Sequence, residues 1–240
     1  MLARMTAFDL APQFDVKVVP VGRGAIPVMV IDGVMRDAEP LRQAAARAKF
    51  RDVGTRGGFP GLRADLPRDY VRNLLRRIDP LLRDLFFAGR SVKLGRFDCN
   101  FSLVTYPPDR LSPQQKLPHV DIADPDRIAL LHYLCPPGFG GTAFYRHDAS
   151  GLETVGPGDR DRWLAMRRAE VAGLPGDAGY GGDGVPGYQR IAGFDARCDR
   201  LTAYPSYALH SGVIDRPERL GADPATGRLT ANFFLDYDAA

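Results

Sequence analysis

From Val92 to Leu103 the chain alternates: Phe97, Cys99, Phe101 and Leu103 hold one parity, while Arg96, Asp98, Asn100 and Ser102 hold the other. Successive side chains of an extended strand point to opposite faces, so this stretch reads as a half-buried strand of an antiparallel sheet. The same parity returns near the C-terminus. In Gly227 to Phe234, Arg228, Thr230 and Asn232 share one face, and Leu229, Ala231 and Phe233 share the other. A chain with two such strands must build a sheet with an apolar face to bury and a polar face to explain.

Further strands are expected around these two. Residues 13–31 are rich in valine and divide at Gly22-Arg23-Gly24 into two short strands. The run Ile128 to Leu134 is almost continuously apolar, as a strand covered on both faces would be, and its His132 reads as structural. Thr142 to Tyr145 follows the Gly140-Gly141 turn as another strand, with Arg146 and His147 expected to end it in water. Arg200 to Leu209 and Leu229 to Leu235 complete the set.

Helices are expected mainly before residue 90. Asp37 can cap a helix carrying Leu41, Ala44, Ala45 and Ala48 on one side. Val71, Leu74, Leu75 and Ile78 recur at helical spacing. Asp79-Pro80 then looks like a cap and first-turn proline, and Leu81, Leu82, Leu85 and Phe86 continue the pattern, which predicts two linked helices. Between these segments Gly54 to Pro67 reads as a loop, with Arg63 able to reach a ligand or to face solvent. A later helix over 157–172 would be capped near Asp159. The segment 173–187 contains seven glycines and two prolines, and is either a surface insertion or a lid through Tyr180 and Tyr188.

Helices first and strands afterwards define an α+β chain. The expected architecture is a jelly roll, cupin-like, with N-terminal helices packed on the sheet. It forms a single domain over 1–240, with helical support over about 35–90, a core over about 92–240 and a flexible loop at 173–187. With Lys+Arg 32 against Asp+Glu 29, the net charge of +3 gives no argument for nucleic acid. The arginines at 72, 76 and 77, and those at 160, 162, 167 and 168, read as solvated helix faces. Cys99, Cys135 and Cys198 are too scattered for a disulfide framework or zinc knuckle, which suits a reducing cytoplasm, and no targeting signal or membrane span is visible.

The chemistry gathers at Pro118-His119-Val120-Asp121. Two residues apart on extended chain, His119 and Asp121 can face one cavity, and a second imidazole would complete the two-histidine, one-carboxylate face of non-haem Fe(II) oxygenases. His210 is the candidate, far downstream. Arg228 and Thr230, side by side on the polar face of their strand, can hold a carboxylate through a planar fork of donors and a hydroxyl.

His119-x-Asp121, His210 and Arg228-x-Thr230, in this order, resemble the signature of the Fe(II)/2-oxoglutarate-dependent oxygenase superfamily. Phe59-Pro60-Gly61-Leu62-Arg63, His132-Tyr133-Leu134-Cys135-Pro136-Pro137 and Gly140 to His147 are similar to a bacterial group of oxygenase-like proteins without an assigned activity. The resemblance implies a double-stranded β-helix in which His119, Asp121 and His210 bind Fe(II). Arg228 and Thr230 would hold the far carboxylate of 2-oxoglutarate, and Tyr106 or Tyr133 would hydrogen-bond the oxoacid. The interval from His210 to Arg228 is longer than usual, which leaves Arg216 and Arg219 as rival anchors; only Arg228 is followed by a hydroxyl residue two places on.

The activity so implied is hydroxylation of a small molecule or peptide by O₂, with 2-oxoglutarate as co-substrate. Asp121 argues against halogenation, for which the carboxylate ligand gives way to a small residue. Two alternatives stand beside this reading: a metal-binding cupin-like protein with oxoacid-independent chemistry, and a non-catalytic jelly-roll binding module. No nucleic-acid or membrane partner is expected, and a homodimer is left open.

Overall fold

A computed structural model describes residues 7–53, 58–175, 177–182 and 184–240 of the chain. Gly54 and Gly57 of the expected 54–67 loop, and Gly176 and Asp183 of the 173–187 segment, lie outside the described residues. The strands are β1 (Asp15–Val21), β2 (Ile26–Asp32), β3 (Arg51–Asp52), β4 (Gly61–Ala64), β5 (Val92–Val104) and β6 (Arg127–Tyr133). They continue as β7 (Gly141–His147), β8 (Tyr188–Asp195), β9 (Arg200–Pro205), β10 (His210–Val213) and β11 (Arg228–Ala239). The helices are α1 (Glu39–Ala46), α2 (Arg68–Phe86) and α3 (Arg160–Ala172).

Eight strands form the larger sheet in the order β1-β2-β9-β6-β11-β5-β4-β3, and three form the smaller one in the order β10-β7-β8. Every pairing is antiparallel. After β6 the chain crosses to the smaller sheet for β7 and β8, returns for β9, crosses again for β10 and returns for β11. That exchange between two facing sheets is the jelly roll expected from the strand pattern.

Parity decides which side each residue serves. The outer face of the larger sheet, with Met29, Ile31, Leu130, Leu201, Leu229, Ala231 and Phe233, packs on Leu41 and Ala45 of α1 and on Tyr70, Leu74, Ile78 and Leu82 of α2. The inner face, with Val28, Val30, Ala129 and Tyr204, meets Phe144, Ile191 and Phe194 of the smaller sheet. The fold therefore has three layers, helices on sheet on sheet, and the polar parity of β11 is enclosed between the sheets.

A buried relay pins the helical layer to the sheet. The Tyr70 hydroxyl donates to His132 Nδ1 at 2.7 Å, and His132 Nε2 donates to Asp199 Oδ1 at 2.9 Å. The Asp199 carboxylate also accepts from the Met35 backbone N–H at 3.1 Å. A neutral imidazole satisfies both contacts at once, so His132 has the structural role read from the sequence.

The structure corrects four expectations. Residues 68–86 are one helix running through Pro80, which lies on the exposed side while Tyr70, Leu74, Leu75, Ile78 and Leu82 are buried; continuous burial of one stripe outweighs the lost backbone donor. The 54–67 loop contains β4, where Gly61 is a glycine of close approach: a Cβ there would run into the Leu103 carbonyl of β5. The expected strand 200–209 ends at Pro205, and the chain turns through Ser206 to Leu209 into the other sheet at His210. Arg146 and His147 do not end their strand in water: Arg146 pairs with Glu153 at 2.6 Å, and His147 bonds Glu170 at 2.5 Å.

The two neighbours Asn232 and Phe233 make the parity testable. Phe233 is fully buried against the helices, whereas the Asn232 carbonyl oxygen is buried without a hydrogen-bond partner among the described residues. Phe233→Ala is expected to lower unfolding free energy by ~3–5 kcal/mol in urea titrations. Asn232→Ala should cost less than ~1 kcal/mol, because it removes a group that folding leaves unsatisfied.

Candidate functional site

Between the two sheets lies a cavity of about 580 Å³. Backbone pairing assembles its mouth. The His119 N–H donates to His210 O and the His210 N–H donates to His119 O, both at 2.8 Å, so the 105–126 connection docks onto β10 as a short extra strand. Two residues on, the Asp121 N–H donates to Ser206 O at 2.9 Å. Alternation does the rest: His119 and Asp121 project to the same side, beside the first residue of β10.

The ligand-capable atoms of His119, Asp121 and His210 all lie within 4.8 Å of one another. Asp121 Oδ1 is 3.9 Å from His119 Nε2, and Asp121 Oδ2 is 3.7 Å from His210 Nε2. The two imidazole rings are 4.7 Å apart between centroids. His210 Nδ1 donates to the Ala208 carbonyl at 2.9 Å, which fixes the tautomer and leaves the Nε2 lone pair facing inward. Tyr204 and Phe144 hold that ring from behind, with centroids at 4.8 and 6.3 Å.

The His119 and Asp121 side chains keep 45% and 19% of their surface accessible, with the remainder set against the cavity walls. Enclosure, joined by the charge of Arg167 and by that of His210 whenever its ring is protonated, pushes the His119 imidazole down to about 3, so it is a neutral lone-pair donor. Asp121 is raised by the same loss of solvation, against the opposing pull of His210, Arg127 and Arg63. A bound metal ion would relieve the carboxylate without protonating the imidazole, so two neutral nitrogens and one oxygen on one face fit a divalent transition metal.

Arg228 and Thr230 line the same cavity from β11. Arg228 is buried, donating from Nε to Phe139 O at 3.1 Å and from Nη2 to Gly141 O at 2.8 Å. Its guanidinium lies 5.9 Å from the centre of the Tyr133 ring. Thr230 Oγ1 has only a long contact to Ser102 O, 3.4 Å. The rival anchors fall elsewhere: neither Arg216 nor Arg219 lines the cavity, and Arg219 sits over the Phe139 ring at 4.6 Å.

Neither tyrosine suggested by sequence is in the cavity wall. The Tyr106 hydroxyl donates to Asp52 Oδ1 at 2.5 Å, and the Tyr133 hydroxyl bonds Thr142 Oγ1 at 2.6 Å in the core. Tyr180 and Tyr204 line the cavity instead. Tyr180 comes from the glycine-rich segment and donates to the Tyr106 carbonyl at 2.7 Å, whereas Tyr188 is buried with His147 and Trp163. Arg160 and Arg167 also line the cavity, so this part of α3 is not simply a solvated face. Asn232 could be read from parity with Arg228 and Thr230; Tyr204 could not, because only the crossing from β9 to β10 carries its ring to His210.

The architecture and site together describe an α+β jelly roll with a two-histidine, one-carboxylate group at the mouth of a cavity between the sheets. The chain belongs to the family of unknown function DUF6445, whose family model matches residues 12–235. No curated protein matches the sequence. Similar solved structures include three proteins. HygX from Streptomyces hygroscopicus, with nickel and 2-oxoglutarate bound, is 16% identical at TM-score 0.48, covering 90% of this chain and 83% of that one. The non-haem α-ketoglutarate-dependent epimerase SnoN from nogalamycin biosynthesis is 15% identical at TM-score 0.47, covering 89% and 78%. An N-substituted L-amino acid dioxygenase from Burkholderia ambifaria is 10% identical at TM-score 0.40, covering 92% and 93%. Among the described residues no helix is long and apolar enough to cross a membrane.

Arg228 also has a structural duty that any binding assay must allow for. Arg228→Met leaves the Phe139 and Gly141 carbonyls without their charged donor, and urea titration is expected to show a loss of about 2–4 kcal/mol. Thr230→Val, which gives up only the long contact, should cost less than ~1 kcal/mol.

Proposed function

We propose that the protein is an Fe(II)- and 2-oxoglutarate-dependent dioxygenase that hydroxylates a small-molecule or peptide substrate. The observation that carries this reading is the gathering of His119, Asp121 and His210 within 4.8 Å at the mouth of a cavity whose opposite wall presents Arg228 and Thr230. His119 Nε2, a carboxylate oxygen of Asp121 and His210 Nε2 would hold the metal on one face, leaving its other positions to ligands in the cavity. Iron with bound 2-oxoglutarate and O₂ supplies an oxidant able to take hydrogen from a substrate carbon, with succinate and carbon dioxide as the other products.

The protein's own share is positional. Ala208 O keeps the His210 ring in one tautomer, and Tyr204 and Phe144 keep it in one orientation. Arg228 offers a charged, enclosed donor for the distal carboxylate of the oxoacid, and the Thr230 hydroxyl, held only by its long contact to Ser102 O, adds a second. Trp163, Leu164, Ile122 and Phe234 furnish apolar wall that displaces water around a target carbon.

One observation favours a second reading, a metal site with oxoacid-independent chemistry: Arg228 already gives Nε and Nη2 to backbone carbonyls and is partly spent on the fold. Anaerobic titration separates the two. Fe(II) with 2-oxoglutarate is expected to give the visible charge-transfer band of the chelate in the wild-type protein. The band should vanish in His210→Ala and Asp121→Ala. It should need on the order of 100-fold more 2-oxoglutarate in Arg228→Lys, which keeps a charge near the carbonyls but loses the fork. A wild-type protein that binds Fe(II) without any band on adding 2-oxoglutarate contradicts the proposal and supports the second reading.

A further inference from the structure

The cavity is lined by four arginines, Arg63, Arg160, Arg167 and Arg228, against one acid, Asp121. Three of these guanidiniums are occupied. Arg228 donates to Phe139 O and Gly141 O. Arg167 donates to Gln114 O at 3.0 Å, Leu117 O at 3.2 Å and the Tyr188 hydroxyl at 3.3 Å. Arg160 faces Asp161 at 3.7 Å.

Arg63 differs. Its side chain takes part in no hydrogen bond or ion pair among the described residues, and its Nε is buried without a partner. The guanidinium lies 5.0 Å from the centre of the Phe59 ring, itself part of the cavity wall. Enclosure lowers its affinity for a proton, while the charge of Asp121 raises it, so the cation is felt at the metal-side carboxylate. A half-buried cation with spare donors is unfavourable to hold unless an anion completes it.

Register fixes where that cation stands. Arg63 of β4 lies opposite Ser102 of β5, and Ser102 lies opposite Thr230 of β11. Arg63 therefore shares a cross-sheet row with Thr230, two strands away, or about 10 Å of backbone spacing. One oxoacid carboxylate seated at Arg228 and Thr230 leaves Arg63 over. Asn232, on the same face of β11, adds a buried carbonyl oxygen with no partner among the described residues, a second mark of a wall prepared for a polar ligand.

We propose that Arg63 is the anchor for a carboxylate of the substrate to be oxidised, so that the protein acts on a carboxylic acid held with its anionic end at Arg63 and its carbon chain toward the His119, Asp121 and His210 face. This rests on the oxygenase reading for the reaction but not for the binding. A carboxylate suits the site better than a phosphate because one guanidinium balances its single negative charge through one planar fork, whereas a phosphate monoester brings about −1.5 to −2. The Phe59 ring and the apolar side chains of Ile122 and Phe234 give the rest of the acid an apolar bed.

The test uses 3-phenylpropionate and its neutral amide, 3-phenylpropionamide, as probes. They are titrated by calorimetry into protein loaded with Ni(II) and saturating 2-oxoglutarate. The acid is expected to bind about tenfold or more tighter than the amide in the wild type. Arg63→Met should abolish the preference, and Arg63→Lys, which keeps the charge without the fork, should retain part of it. Affinity for 2-oxoglutarate should change less than about twofold in either variant, since no 2-oxoglutarate contact is assigned to Arg63. A wild type that binds neither probe or both alike overturns the proposal. So does a preference that survives Arg63→Met, or a loss of 2-oxoglutarate binding in that variant as large as the loss of the acid. Failure of the oxygenase reading looks different: the Fe(II) chelate band is absent, while metal-free protein still prefers the acid in an Arg63-dependent way.

Discussion

Two reciprocal backbone hydrogen bonds, between His119 and His210, hold the site together. They join a connection that belongs to neither sheet with the first residue of β10, and they set two imidazoles side by side before any metal is considered. The adjoining bond from the Asp121 N–H to Ser206 O extends the pairing by two residues, one full period of a strand, and so aims the carboxylate the same way. Side chains alone could not hold such positions. The backbone ladder makes the geometry a consequence of the fold, and the His210 contact with Ala208 O settles the tautomer.

The same logic explains why a polar wall survives inside the molecule. Strand β11 is central in the larger sheet, between β6 and β5, and its Leu229, Ala231 and Phe233 are committed to the helical layer. Its other parity must then face the smaller sheet. Apolar residues there would close the sandwich, as Val28, Ala129 and Phe144 do further along. Arg228, Thr230 and Asn232 hold it open. Their burial is unfavourable unless partners are supplied: Arg228 finds Phe139 O and Gly141 O, Thr230 has a long contact to Ser102 O, and the Asn232 carbonyl oxygen is left over among the described residues.

Much of this was legible in the residues. Period-two alternation gave the two long strands and told the faces of β11 apart, because burial on one side leaves a sharp mark on sequence. The ordered set of His119, Asp121, His210 and Arg228 pointed to one site, and the structure gathers the first three. What did not show was tertiary in origin. Tyr106 and Tyr133 were plausible by position along the chain, yet Asp52 and Thr142 capture their hydroxyls. Pro80 looked like a helix start, because a proline carries the same local signature whether the helix begins there or runs through it. Strand β4 was hidden in a glycine-rich stretch, and with it the placement of Arg63 in the cavity wall.

Three side chains, brought together by backbone pairing, would hold one metal ion. Crystals grown with Mn(II) and 2-oxoglutarate test it most directly, through an anomalous difference map collected near the manganese edge. One strong peak is expected, at about 2.0–2.3 Å from His119 Nε2, His210 Nε2 and a carboxylate oxygen of Asp121. A peak bound elsewhere on the molecule, or an empty space among these three residues at saturating metal, would contradict it.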